Sequence, residues 1–167
     1  MDKLLDDESI PPASRIIGLL VLVFAQRISD CVRLRRSDVS EDETALRITF
    51  GRTPLALPAP IAELLHHYVI ELEAERPFVS GGPDWLFPGT TPHRHVSEGI
   101  IRIHLAAHQI QARKAQNARI DQLIQTVPAS VVADTLGINI GTAIRHAART
   151  NSRWGDYPEL RTLPPRG

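Results

Sequence analysis

Apolar residues recur along this chain in three patterns, and the changes between them mark its elements. Ile16 to Ala25 is a ten-residue apolar run broken only by Gly18. It is too short for a bilayer, which needs about 20 such residues, and so predicts a buried core helix. Ser14 is placed to cap its start, and the helix extends to about Ile28. Ser29-Asp30 then caps a short second helix through Leu34. From Ala45 to Phe50 the period changes to a weak alternation rich in β-formers. Gly51-Arg52-Thr53-Pro54 turns the chain and Leu55-Ala56-Leu57-Pro58 returns, which predicts a two-strand hairpin with a four-residue turn. Pro54 and Pro58 place the second strand at a sheet edge.

The helical period resumes after Pro60. Ile61, Leu64, Leu65, Tyr68, Val69 and Leu72 share one face of a helix from about Ile61 to Arg76, with His66-His67 straddling the edge of that face. Pro77 to His95 is a loop rich in Pro and Gly, in which Trp85-Leu86-Phe87 reads as a third short strand or an anchor. Four further helices are predicted: Ser97 to Ile110, Ala112 to Gln125, Ala129 to Leu136 and Gly141 to Arg149, with Pro128 and Gly137 as breaks. The fold class is therefore mainly α with a small antiparallel β-sheet (α+β). Residues 1–13 read as a flexible acidic lead-in, 14–150 as one folded unit, and 151–167 as a loosely packed proline-rich tail.

Composition changes this picture little. A chain of 167 residues, 43% hydrophobic and 23% charged, is an ordinary soluble globule. Such a chain buries roughly 70% of its unfolded surface. The single cysteine, Cys31, excludes an internal disulfide and reads as a small buried apolar residue. The start, Met-Asp-Lys-Leu-Leu-Asp-Asp-Glu, has no signal-peptide pattern, so a cytoplasmic protein without a membrane partner is expected. Charge is more informative. The net is zero, yet residues 1–101 carry 10 Lys+Arg against 15 Asp+Glu, and residues 102–167 carry 9 against 4. A basic C-terminal half hints at a basic face.

Candidate chemistry begins at Arg27. An arginine at the end of a rigid apolar helix is a permanently charged fork suited to phosphate. Arg33, Arg35 and Arg36 read as a solvated helix end or as cations along a DNA backbone. His93-Arg94-His95 lacks a nearby cysteine or carboxylate in ligand spacing, so no metal is expected. No nucleotide-loop or nucleophile-elbow motif is present, and no cofactor is expected. Ser130 to His146 fits a helix-turn-helix in which a second helix presents Asn139, Thr142, Arg145 and Arg149. The same residues also fit two core helices joined by a glycine turn.

Four phrases, in this order, resemble the catalytic domain of the tyrosine recombinase (phage integrase) family. They are Gln26-Arg27-Ile28-Ser29-Asp30 with Leu34 to Val39, the hairpin Arg47 to Leu57, Leu86-Phe87-Pro88-Gly89, and Val131 to Gly137. The likeness covers about residues 15–150 and makes 14–150 a recombinase-like catalytic-type domain. It implies DNA integration or recombination: a tyrosine attacks a DNA phosphodiester without a metal, and two arginines, a lysine and His or Trp neutralise the charge that builds on the phosphate. Losing one such donor costs on the order of 3–4 kcal/mol.

Here that set is incomplete. Arg27 matches the first arginine. The hairpin lysine has no counterpart, the nearest cation being Arg52. The His-x-x-Arg phrase falls on Arg113 to Gln116, with Arg113 for histidine and Gln116 for arginine; Arg113 or Arg119 lies within a turn. Ile138 stands for the later histidine. The nucleophile is expected near Ala147, and the only downstream tyrosine is Tyr157. The resemblance thus implies a duplex-DNA-binding pseudoenzyme with Arg27, Arg52, Arg113, Arg119, Arg145 and Arg149 as DNA contacts. A separate N-terminal DNA-clamping domain or a homo-oligomer would complete its grip. The alternatives are an active strand-transferase using Arg27 and Tyr157, a helix-turn-helix regulator, and a helical interaction module that does not touch DNA.

Overall fold

The computed structural model describes residues 2–50, 53–75, 83–136, 138 and 140–150. Eight α-helices are described, α1 (Asp2–Asp6), α2 (Pro12–Phe24), α3 (Ile28–Cys31), α4 (Ala59–Glu75), α5 (Glu98–Ala107), α6 (Ala112–Thr126), α7 (Ala129–Leu136) and α8 (Ile140–Arg149), with one 3-10 turn at Arg36–Asp38. Three strands, β1 (Val39–Glu41), β2 (Leu46–Phe50) and β3 (Thr53–Ala56), form one antiparallel sheet in that order. The architecture is mainly α with a small antiparallel sheet, as the apolar pattern predicts. No helix among the described residues is long and apolar enough to cross a membrane.

The apolar run is the central element. α2 packs against α1, α3, α4, α5 and α6, and Ile16, Ile17, Leu19 and Leu20 are fully buried. Leu4, Ile10, Ile48, Leu65, Leu86, Phe87, Ile101 and Leu105 join it in the larger of two apolar clusters. Gly18 permits the tight stacking of α1 and α5 on α2: a Cβ there would lie 2.9 Å from both Leu4 Cδ1 and Leu105 Cδ2. The second cluster belongs to α6, α7 and α8, with Ile120, Ile124, Val132, Ala133, Leu136, Ile138, Ala143 and Ala147. Ala25, just past the end of α2, is also buried in it. The segment entering Arg27 is therefore where the two clusters meet.

Several elements differ from expectation. Within the lead-in, Asp2–Asp6 is helical, with Leu4 and Ile10 buried. Arg15, itself only 8% exposed, holds it by donating from Nε to the Leu4 carbonyl (2.9 Å) and from Nη2 to the Leu5 carbonyl. Those carbonyls lie at a helix end, where a guanidinium satisfies groups that lack intrahelical partners. Ser14 is not the cap of α2, which starts at Pro12 after Pro11; its hydroxyl is buried and hydrogen-bonded to His104 Nδ1 at 2.8 Å. The third strand is β1, not Trp85-Leu86-Phe87, and it pairs Val39 with Ile48. The hairpin itself holds, with Pro54 opposite Thr49 on the edge strand, but Phe50 pairs with Thr53, so the turn is shorter than four residues. Trp85 to Phe87 acts as the anchor, with Leu86 and Phe87 fully buried. His66 and His67 are both exposed and do not straddle the boundary.

Candidate nucleic-acid interface

Arg27 is not the last residue of the long helix, because α2 ends three residues earlier. Ala25 turns the chain out of α2 with φ 54, a left-handed conformation that costs a residue bearing a Cβ roughly 1–2 kcal/mol. Gln26 N–H reaches back to the Leu20 carbonyl at 3.4 Å. Arg27 is then the extended N-cap residue of α3 (φ −81, ψ 143), and its carbonyl accepts from Asp30 and Cys31 N–H at 3.0 Å. Its side chain is exposed, and no hydrogen bond or ion pair joins it to another described residue. Cys31, beside it on α3, is fully buried, and burial pushes its thiol pKa far above the ordinary range, so it takes no part.

The turn is braced from α6. Gln116 Nε2 donates to the Ala25 carbonyl at 2.9 Å, and Arg119 Nε donates to the Val23 carbonyl at 3.0 Å. Gln26 Nε2 adds a bond to the Phe24 carbonyl at 3.3 Å. Three carbonyls at the end of α2 are thus satisfied by side chains, and Arg119 brings a cation to the negative end of the helix dipole. The position where the resemblance expects a phosphate-binding arginine holds an amide that instead fixes the Arg27 turn. Arg119, expected at DNA, holds backbone and also donates to Gln122 Oε1 at 2.7 Å.

Arg27 faces a cavity of about 380 Å³ whose wall also includes Ser29, Arg102, Arg113 and Gln116. The structure thus brings together Arg27 and Arg113, two of the cations picked out from sequence. Arg102 on α5, to which no phrase in the sequence points, stands in the same wall. Among the described residues, no carboxylate lines this cavity. A larger groove of about 720 Å³ shares Arg102, Ala112 and Arg113 with it and runs on past Lys114 and Asn117 to Asp121 and Arg149.

The other expected contacts sit elsewhere. Arg149 Nη2 donates to Asp121 Oδ1 and Oδ2 at 2.7 and 2.5 Å, and His146 Nδ1 lies 2.6 Å from Asp121 Oδ1. Burial of Asp121 opposes ionisation, but the hydrogen bonds from Arg149 and His146 outweigh it and hold the carboxyl below its usual pKa. Arg149 is accordingly neutralised at the far end of the groove. Arg145 is exposed and donates to Thr142 Oγ1 at 3.1 Å. The helix-turn-helix reading has Thr142, Arg145 and Arg149 facing DNA; Arg149 is instead tied to Asp121 of α6, and Asn139 lies outside the described residues. Arg33 and Arg35 are exposed beyond the end of α3, the Arg35 guanidinium lying 5.4 Å from the Trp85 ring centre, whereas Arg36 is partly buried and its Nε pairs with Asp84 at 3.1 Å.

Two further positions matter for chemistry. Ile138, where the resemblance expects a histidine, is buried among α7 and α8, and its N–H closes the end of α7 on the Ala133 carbonyl at 3.1 Å. Ala147, near the expected nucleophile, is fully buried on the inner face of α8. Arg52 and Tyr157, together with residues 151–167, lie outside the described residues. Among the described residues no group of three or more His, Cys, Asp or Glu is placed to hold a metal ion. His93-Arg94-His95 serves the loop: the His93 carbonyl accepts from Trp85 Nε1 at 3.1 Å and the His95 ring meets Trp85 edge-on.

No protein-family model matches the chain, and no curated protein matches it in sequence. Solved structures do match in fold. XerH site-specific recombinase bound to difH substrate, in a pre-cleavage complex, aligns with a TM-score of 0.63 at 16% identity over 97% of this chain and 50% of that one. XerH on palindromic difH in a post-cleavage complex gives a TM-score of 0.62 at 15% identity over 97% of this chain and 51% of the other. XerA recombinase gives 0.62 at 16% identity over 99% of this chain and 62% of that one. The chain spans about half the length of the XerH chains. The fold is therefore the tyrosine-recombinase catalytic-domain-like one.

Proposed function

We propose that this chain is a duplex-DNA-binding domain with a recombinase-like fold whose strand-transfer site is incomplete. The observation that carries the proposal is the placement of Arg27 and Arg113 in one cavity that no carboxylate among the described residues lines. Two guanidiniums with no lining carboxylate among the described residues favour an anion, and their planar forks match the oxygens of a phosphodiester. The XerH structures, which share the fold, hold difH substrate. The loss of chemistry rests on Gln116, Ile138 and Ala147, each serving the packing or bracing of the domain where the resemblance expects a functional group. A separate clamping domain or a second copy would supply the rest of the grip around the duplex.

A mobility-shift titration of duplex DNA tests this reading. Binding is expected at low salt, with log K falling against log salt at about −0.9 per neutralised phosphate. A slope near −2 or steeper is expected, and no shift at low salt would leave the helical interaction module. A nicked suicide substrate tests the chemistry in parallel. No covalent adduct is expected; an adduct that disappears in Tyr157→Phe would reinstate the active strand-transferase.

A further inference from the structure

We infer that Arg102 is a third phosphate-contacting arginine of this site, with Glu98 as the counter-ion it leaves when DNA binds; this rests on the DNA-binding reading above. The placement comes from how α5 is seated. Ser97 Oγ caps the helix by accepting from Ile100 N–H at 3.2 Å. Ile101 and Leu105 are buried, with Leu105 against Gly18 of α2, and His104 is bonded to Ser14 of the same helix. A helix anchored on both sides of position 102 holds that residue at a fixed place on the cavity wall. Arg102 and Arg113 line both the Arg27 cavity and the longer groove, which puts them where the two join.

The balance of charge favours the exchange. Arg102 Nη2 lies 3.3 Å from Glu98 Oε2, and their side chains are 55% and 37% exposed. An exposed pair one helical turn apart contributes only about a twofold preference. A bidentate guanidinium–phosphate bond in a cleft is stronger, and Arg27 and Arg113 help hold the phosphate there. By contrast, Arg119 is bonded to the end of α2 and Arg149 to Asp121, so neither changes partner without uncovering buried backbone or a carboxylate. Gln116 cannot supply the missing charge, because its carboxamide is neutral, and its Nε2 is engaged with the Ala25 carbonyl. Arg102 reaches the same cavity from a different helix and restores a third cation.

The test is salt-dependent binding of a duplex oligonucleotide by wild type, Arg102→Gln, Arg102→Lys, Glu98→Gln and the sheet control Arg47→Gln, each checked for an unchanged melting curve. Arg102→Gln is expected to bind about tenfold more weakly, with the salt slope reduced by about 0.9. Arg102→Lys is expected to keep the slope, because the charge remains. Glu98→Gln is expected to bind about twofold more tightly, because Arg102 has lost its competitor. Wild-type affinity and slope in Arg102→Gln would overturn the assignment while leaving the DNA reading intact. A drop shared equally by Arg47→Gln would also overturn it, as a general loss of charge. Absence of binding by wild type overturns both.

Discussion

Arg27→Ala is expected to weaken duplex binding by between tenfold and a hundredfold at low salt, without lowering the thermal midpoint. The side chain is exposed and bonds to no other described residue, so the folded state loses no partner when it is removed. A hydrogen bond to a charged group is worth roughly 1.5–3 kcal/mol when its partner is present, and about 1.4 kcal/mol is tenfold in affinity. The salt slope should fall by about 0.9 as one phosphate contact disappears. Arg27→Lys should recover the slope but not the full affinity, since an ammonium keeps the charge and loses the planar fork. Arg113→Ala should behave alike, being exposed on the same wall. Arg119→Ala should separate from both: it uncovers the Val23 carbonyl, so its first effect is on the melting curve. Equal loss of stability in Arg27→Ala and Arg119→Ala would show that Arg27 also serves the fold.

These contrasts show what a one-dimensional reading retains. Helices with an apolar period and clear breaks are legible: Ala129–Leu136 has the bounds predicted for it, and α5 starts within one residue of the predicted Ser97, though it ends at Ala107 and not Ile110. The hairpin is legible from its alternation, and its edge from Pro54. Short elements are not. Asp2–Asp6 has one helical turn and shows no period, and β1 has three residues, none buried, so its pairing with β2 leaves no pattern. Within the site, Arg27 is legible because the phrase around it carries a resemblance, and Arg113 because the expected His-x-x-Arg position falls on its segment. Arg102 is not, because its phrase carries none and its approach to Arg27 is made by tertiary packing across 75 positions. Arginine alone is ambiguous in sequence: Arg119 and Arg149 look like phosphate ligands until the Val23 carbonyl and Asp121 are seen beside them.

Arg15→Ala is expected to lower stability by about 2–4 kcal/mol, more than any of the cavity arginines. Two charge-assisted hydrogen bonds to Leu4 and Leu5 carbonyls disappear from a side chain that is only 8% exposed. Each is worth roughly 1.5–3 kcal/mol, and the sum is reduced because freed carbonyls of a short terminal helix can turn to water. The loss does not stop at α1. Leu4 and Ile10 are buried against α2, and Leu4 shares the space over Gly18 with Leu105 of α5. His108 Nδ1, just past α5, lies 3.6 Å from Asp7, so the same segment also steadies the helix that carries Arg102. Denaturant titration should therefore show a lower midpoint in Arg15→Ala. Hydrogen exchange should show faster exchange in α5 as well as in α1, and DNA affinity should fall with an unchanged salt slope. Arg15→Lys should recover little, because an ammonium cannot reach both carbonyls with the fork geometry of a guanidinium. Faster exchange confined to residues 2–10 would mean that α1 is an appendage and that α5 is held by Ser14 and Gly18 alone.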